Sequence, residues 1–312
     1  MKNIHSPNSR SGFLPHSIIL SLLVLALVSC QDVIQIDVPQ GPTQLSVDGR
    51  ITNQATAQTI RLSESAPYFD NSPAKPVLGA TVSVTDERGK VFSFKDLKNN
   101  GYYVWQPASA RDTLGRIGGV YSLLIKSGSD EYVAKTKINR VPKIDSVTYF
   151  AEKPPVAPQN GPKEGYIAEF FGRDPVGEGD CYWIKSAKNS KLFSKADQIQ
   201  LAYDAGFSPG AATDGLRFIL PIRRSISREL FSEKDTVKVE LHSITLENYF
   251  FLFQVQQESQ NGGIFATPPA NIPTNVINRN PNGRKAVGFF GGSAVSLFQT
   301  VVVKEKAKEK NA

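Results

Sequence analysis

The chain has 312 residues, enough to bury one large or two ordinary hydrophobic cores. Its 36 basic and 29 acidic side chains give a formal net charge of +7, which is too diffuse for the clustered basic patch of a nucleic-acid-binding protein. Two cysteines are present, and the first is expected to carry the lipid described next, so no intramolecular disulfide is expected.

The first residues predict a lipoprotein signal peptide. A basic start with Lys2 and Arg10 precedes an apolar run, Ile18 to Val28, that is shorter than the ~20 residues of a membrane-spanning helix. Cys30 follows at the position where a bacterial lipobox places the acylated cysteine. We therefore expect a leader over 1–29 and a lipidated Cys30 with a tether over 30–43. Removal of the leader lowers the net charge to +5.

Short strands with turns between them follow the tether. Alternating or β-branched segments recur at regular spacing without an intervening helical pattern, which is typical of an antiparallel β-sandwich over 44–142. The turn Asp86-Glu87-Arg88-Gly89 predicts a hairpin with glycine at the position that needs a positive φ. The predicted strands are Leu45–Ile51, Thr59–Leu62, Ala80–Thr85, Lys90–Phe94, Gly101–Trp105, Val120–Ile125 and Tyr132–Thr136.

After Val141-Pro142 a second strand set begins, and it predicts a second, mostly β domain over 143–303. Thr245 can cap one helix near 245–260, with Glu247 in its first turn, where a carboxylate suits the helix dipole. The Gly/Ala/Asp-rich stretch 195–215 is interpreted as a long loop. Mixed charge in 304–312 predicts a solvated, frayed tail.

The sequence offers few groups for catalysis or cofactor binding. His242 is the only histidine after Cys30, which excludes two-histidine metal sites and favours a structural role. Nucleotide-binding glycine motifs and the Gly-x-Ser-x-Gly elbow are absent, and no cofactor is expected. Cys181 lies in an apparent strand, which favours a buried, inert thiol.

Two segments are candidates for binding. Asp174, Glu178 and Asp180 place three carboxylates in one turn, as calcium prefers, but the spacing is irregular and favours a solvated turn. Tyr68 and Phe69 interrupt a polar, proline-framed loop, 63–79. Such aromatics either anchor a partner or pack back onto the sandwich.

An ordered set of motifs resembles a family, the Bacteroidota lipoproteins that carry domain of unknown function 4249. The likeness covers nearly the whole chain after the lipobox, although Arg50 stands where an aromatic residue is more usual. The motifs include Val47-Asp48-Gly49-Arg50-Ile51-Thr52-Asn53, Ala66-Pro67-Tyr68-Phe69-Asp70, Ile144-Asp145-Ser146, Pro268-Pro269-Ala270-Asn271-Ile272 and Val287-Gly288-Phe289-Phe290.

The resemblance implies an outer-membrane lipoprotein whose first domain is similar to the carboxypeptidase-regulatory, immunoglobulin-like β-sandwich. It also implies an accessory partner of TonB-dependent transporters, and it carries over no catalytic residues. Together with the shortage of catalytic groups, this predicts a non-catalytic binding protein. A carbohydrate-active hydrolase on a β-sandwich, using paired carboxylates, and a structural envelope lipoprotein remain as alternatives.

Overall fold

A computed structural model describes residues 41–67, 70, 72–156, 162–262, 267, 268 and 270–309. The description below concerns the unit Pro42–Ala312 within those ranges. Cys30 lies outside the described residues, as do Tyr68 and Phe69. No helix among the described residues is long and apolar enough to cross a membrane.

The predicted strands of the first half are all present. In each, buried side chains alternate with more exposed ones, which is the pattern of a sheet covered on one face. Gly89 has the positive φ that the hairpin turn required. The strands are β1 (Leu45–Thr52), β2 (Gln58–Glu64), β3 (Thr81–Asp86), β4 (Val91–Phe94), β5 (Tyr102–Trp105), β6 (Val120–Ser127) and β7 (Asp130–Lys137).

The second half adds nine strands and two helices within the described residues. Thr245 caps the longer helix as expected, because its side chain accepts a hydrogen bond from the Asn248 backbone N–H. The elements are β8 (Ile144–Glu152), β9 (Gly165–Gly172), β10 (Cys181–Lys188), β11 (Lys191–Leu192), β12 (Gln200–Tyr203), α1 (Leu220–Arg224), β13 (Thr236–Ile244), α2 (Leu246–Gln260), β14 (Ile277–Asn278), β15 (Ala286–Ser293) and β16 (Val295–Val301).

The fold is mainly β, with several antiparallel sheets and one long packed helix. Sheet 1 has the strand order β15-β1-β2-β5, and sheet 2 has the order β14-β7-β6-β3-β4. Their inner faces enclose one apolar core, which is the predicted sandwich. Sheet 3 has the order β11-β10-β13-β16, with β12 paired to β10, and sheet 4 is the hairpin β8-β9. These two sheets and α1 surround a second core.

The strand pairing differs from the predicted division at residue 142. β15 runs parallel to β1 in sheet 1, and β14 pairs with β7 in sheet 2, so both late strands complete the first sandwich. Val276 and Phe290 are fully enclosed in its core. Because β15 pairs with it, β1 has a hydrogen-bonded neighbour on each side. Of the last three strands, only β16 joins sheet 3.

Two segments predicted as irregular are partly ordered by pairing. The expected loop 195–215 contains β12, which pairs with β10. In the expected tail, a 3-10 turn spans Lys304–Lys306, and the Lys308 backbone N–H donates to Tyr149 O at 2.8 Å. The tail therefore runs along the edge of β8. Tyr149 of β8 provides the backbone acceptor that the Lys308 N–H would otherwise find in water.

Candidate functional site

The outer face of sheet 2 carries apolar residues at positions that usually face water. Leu124 on β6 and Val133 on β7 occupy outward positions of the alternation and are half-buried, while Ile277 on β14 is 63% exposed. The outward face of an antiparallel sheet is normally polar. An apolar strip on this face therefore indicates a surface that contacts something else.

Helix α2 presents a second apolar surface beside this strip. Tyr249 and Leu252 are buried beneath the helix, whereas Leu246, Phe250 and Phe253 are 42–45% exposed. Those three follow the i, i+4, i+7 spacing of one helical face. Helix α2 is thus apolar on its buried face and also on part of its exposed face.

A groove of about 860 Å³ separates the two surfaces. The outer face of sheet 2, which includes Ile277 of β14, forms one side, and α2 with the loop 273–275 forms the other. Phe251 packs against Phe289, with ring centroids 4.9 Å apart, at the base of the helical wall. The residues that give the groove its apolar character are Leu124, Val133, Phe250, Phe251, Ile277 and Phe289.

Side-chain amides fix the loop that forms the groove wall. Asn275 exchanges two hydrogen bonds with the Phe290 backbone, at 2.8 and 2.9 Å, and Nδ2 also donates to Lys135 O at 3.2 Å. The Thr274 hydroxyl donates to Gly288 O at 2.7 Å. Asn275 thereby ties the loop to β15 and β7, which preforms the groove.

Charged side chains stand at the rim of the groove. Lys135, Glu247 and Arg279 line it, and Arg279 forms an ion pair with Glu131. Lys126 reaches the same Glu131 carboxylate at 3.3 Å. An apolar centre with a charged border of both signs is the usual composition of a protein-binding surface.

The acidic turn is built differently from the sequence prediction. Asp174 is buried, and its converging partners are Asp204 and Asp214, with ligand atoms within 4.8 Å of one another. Glu178 is exposed and lies outside this group, and Asp180 is held by Arg140 through Nε at 2.8 Å. Sequence spacing could not identify Asp204 and Asp214, because they come from a distant loop.

The three converging carboxylates already accept hydrogen bonds. Asp174 accepts from the Tyr182 hydroxyl at 2.5 Å and from the Gly215 N–H at 3.1 Å. Asp204 accepts from the N–H groups of Gly179 and Asp180, both at 2.9 Å. Burial raises the pKa of Asp174 to about 6 despite these bonds. These hydrogen bonds tie two loops together, and Asp174 and Asp180 are buried rather than exposed on the solvated turn that the spacing favoured.

His242 and Cys181 occupy the structural positions that the sequence favoured. His242 is buried, with Nε2 2.9 Å from Glu240 Oε2, and burial lowers its pKa to about 4. The hydrogen bond from His242 in turn lowers the pKa of Glu240 to about 2. Cys181 is a free, buried thiol, and burial raises its pKa to about 12.

Comparison with known proteins places the chain in a family. The model of the family described as "Domain of unknown function (DUF4249)" matches residues 31–298. No sequence among the curated proteins matches this chain. A solved structure, the two fibronectin type-III domain segment from chicken tenascin, is similar over 66% of this chain and 92% of that chain, with 10% identity and a TM-score of 0.18. That TM-score is too low to support an argument, and the fold assignment depends on the sheets themselves.

Proposed function

The chain belongs to the DUF4249 family, and we propose that it is a lipid-anchored, non-catalytic binding protein of the outer membrane that serves TonB-dependent transport. The lipobox at Cys30 supports the anchor, because several acyl chains on one residue hold a soluble domain stably at a membrane. The groove between α2 and sheet 2 is the observation that carries the binding role.

The occupant that we propose for the groove is an apolar segment of the transporter. A volume of about 860 Å³ lined by three phenylalanines suits several large side chains in a row. Aromatic anchors in a preformed site provide most of the binding energy in protein interfaces. The lysine, arginine and glutamate at the rim orient a partner rather than repel it, since both signs are present.

The matched test compares two exposed phenylalanines. Phe250 lines the groove and is 45% exposed, and Phe207 is 47% exposed outside it. Phe250→Asp combined with Ile277→Asp should reduce capture of a TonB-dependent transporter from solubilised outer membranes at least ~10-fold, the loss typical of an anchor residue. Phe207→Asp should leave capture unchanged. Capture is measured by quantitative mass spectrometry of cross-linked complexes.

Two outcomes would contradict the proposal. If the unmodified protein never enriches a transporter, the assigned partner is wrong. If the groove variant captures the transporter as well as Phe207→Asp does, the groove is not the docking surface. Melting temperatures of both variants show whether any loss reflects unfolding.

The hydrolase and the structural envelope protein stay as alternative predictions. Glycoside hydrolysis uses two carboxylates across a cleft. Among the described residues, the groove is lined by the carboxylate of Glu247 alone. No described feature favours either alternative over binding.

A further inference from the structure

A cavity of about 270 Å³ lies between the outer face of sheet 1, helix α2 and the segment 194–199. Apolar side chains form most of its surface. A water molecule fills ~30 Å³ of liquid, so the space suits a ligand of about ten non-hydrogen atoms. The larger apolar side chains that line the cavity are Trp183, Ile199, Phe251, Leu252, Val255 and Phe289.

Polar side chains converge at one end of this cavity. Arg50 on β1 is in register with Gly291 on β15, and a Cβ added to Gly291 would lie 2.6 Å from Asn248 Nδ2. Arg50 and Asn248 therefore lie at the same level of sheet 1, and both line the cavity. Two residues earlier on β15, Phe289 packs against Phe251. The cavity thus has a polar end and an apolar body.

Asn248 brings an unpaired amide to the polar end. The residue is 8% exposed, and its backbone N–H donates to the Thr245 side chain at 3.2 Å. Its own side chain makes no hydrogen bond within the described part of the chain. Buried amides are normally hydrogen-bonded, so this amide is free to donate to a molecule in the cavity.

Two cations stand at the same end, against one aromatic ring. The Arg50 guanidinium carbon and the Lys185 ammonium lie 4.1 and 3.9 Å from the Trp183 ring centroid, so this ring holds cations. Arg50 Nε donates to Asp48 Oδ1 at 3.1 Å, whereas the Arg50 Nη groups donate to no described residue. Two cations and one carboxylate leave one net positive charge.

The surplus charge belongs to Lys185. This ammonium forms no ion pair with a described residue, because Glu240, opposite Lys185 on β13, is engaged by Lys238 at 2.7 Å and by His242 at 2.9 Å. Burial and then the nearby Arg50 charge lower the pKa of Lys185 to about 8. An anion beside Arg50 would offset this repulsion.

From the cationic end and the apolar body we propose that the cavity binds a small monocarboxylic acid with an aliphatic or phenyl-bearing body of about eight carbons. The carboxylate accepts N–H groups from Arg50 and Asn248, as charge-assisted hydrogen bonds require. The carbon body packs against Ile199, Phe251 and Val255. A polyol fits less well, since its hydroxyl groups would face apolar walls without partners.

This site is distinguishable from the transporter-docking groove. Phe251 and Phe289 line both, so neither is used in the test. Arg50 lines only the cavity, and Lys135 lines only the groove. A protein that fails to capture a transporter can still bind the acid, and the reverse also holds.

Isothermal titration calorimetry with defined acids tests the proposal. Cys30→Ser protein is used, so that no detergent competes with the ligand. At pH 7, octanoate or 3-phenylpropanoate should bind saturably with a Kd of ~1 mM or tighter. The neutral isostere 3-phenylpropanamide should bind at least ~10-fold more weakly than 3-phenylpropanoate, because it lacks the charge that Arg50 recognises.

Two variants of equal net charge locate the acid. Arg50→Gln removes the cation at the cavity and should weaken acid binding at least ~10-fold, the loss of a charged hydrogen bond. Lys135→Gln is the matched control, because it removes one positive charge from the groove instead. It should bind the acid as the parent protein does.

Asp48→Asn gives an effect of the opposite sign. Asp48 is largely exposed, with 63% of its side chain accessible, so the fold should persist. The substitution removes the carboxylate that repels an anion beside Arg50, and acid affinity should rise a few-fold. This variant decides the matter if Arg50→Gln fails to fold.

Four results would overturn the inference. The first is no saturable binding of either acid up to ~10 mM. The second is equal affinity for 3-phenylpropanamide and 3-phenylpropanoate. The third is equal acid affinity in Arg50→Gln and Lys135→Gln, with both proteins folded by circular dichroism. The fourth is weaker or unchanged acid binding in Asp48→Asn.

Discussion

The two halves of the molecule bury different kinds of side chain. Within the described residues, the sandwich of sheets 1 and 2 buries no carboxylate, lysine, arginine or histidine; its buried polar residues are Gln58, Ser63 and Thr136, and its buried tyrosines are neutral below pH ~10. The half built on sheets 3 and 4 buries ionisable groups. They include Glu169, Asp174, Asp180, Asp204 and His242.

This difference separates two sources of stability. An apolar core depends on packing, and its contribution does not change with pH. Buried ionisable groups make stability depend on pH, because their proton affinities differ between the folded and unfolded states. We therefore expect a substitution in the sandwich to lower the free energy of unfolding by the same amount at pH 5 and pH 8. The pH dependence of unfolding should originate in the second half.

The largest effect is expected at Phe290, which tests whether β15 truly completes the sandwich. Phe290 is fully buried between the sheets, although it follows the sandwich strands by more than a hundred residues in sequence. Phe290→Ala should lower the free energy of unfolding by about 3–5 kcal/mol, as for other buried phenylalanines. The loss, measured by urea denaturation, should be the same at pH 5 and pH 8.

Phe207→Ala is the control, because Phe207 is 47% exposed, and it should cost less than about 1 kcal/mol. Equal losses in the two variants would show that β15 contributes little to the first core. A loss at Phe290 that changes strongly with pH would contradict the proposed separation of the two halves.

The pairing of β15 also shows which part of the fold could not be predicted from the sequence. The strands β1–β7 were predictable because alternation of apolar and polar residues is a local signal. The pairing of β15 with β1 was not, because nothing in alternation identifies a partner across some 240 residues. Gly288 contained a weak clue. Gly288 has a positive φ, and a Cβ added there would lie 2.1 Å from Val47 O, so glycine lets β15 approach β1 this closely.

The candidate sites were less predictable than the fold. Leu124, Val133 and Ile277 were visible as strand residues, but only the register shows that they share the outer face of sheet 2. β12 was missed because four strand residues inside a Gly/Ala/Asp-rich stretch give too short a pattern.

A smaller effect is expected at His242, which tests the second half. Its pKa is lowered to about 4 in the folded protein, whereas an unfolded histidine titrates near ~6.5. Between those pH values the imidazole is protonated in the unfolded chain but neutral in the folded protein. The contribution of His242 to stability is therefore present above pH ~6.5 and is lost as the pH falls toward 4. The loss amounts to about 3 kcal/mol.

His242→Gln should remove that part of the acid sensitivity. Asp174 acts in the opposite sense, because its raised pKa adds stability at low pH that is lost as the pH rises through about 6. The difference between the variant and the unmodified protein removes the Asp174 contribution and reports on His242 together with Glu240, whose lowered pKa depends on the same hydrogen bond. Urea denaturation at pH 7 and pH 4 should show a drop that is about 3 kcal/mol smaller in the variant. Identical pH profiles would mean that His242 is accessible to solvent.

The smallest effect is expected at Cys181, where a reducing agent should leave the melting temperature unchanged. Cys181 is a buried, free thiol in the described structure, so no cross-link constrains the unfolded chain. A clear drop would instead reveal a bridge between two molecules.

The same thiol tests whether the two halves open together, because an alkylating reagent can reach Cys181 only after the second half opens. Since β15 leads directly into β16 of sheet 3, we expect the halves to open together. Phe290→Ala should then accelerate alkylation of Cys181 in Cys30→Ser protein in proportion to its loss of stability. An unchanged rate would show that the sandwich opens alone.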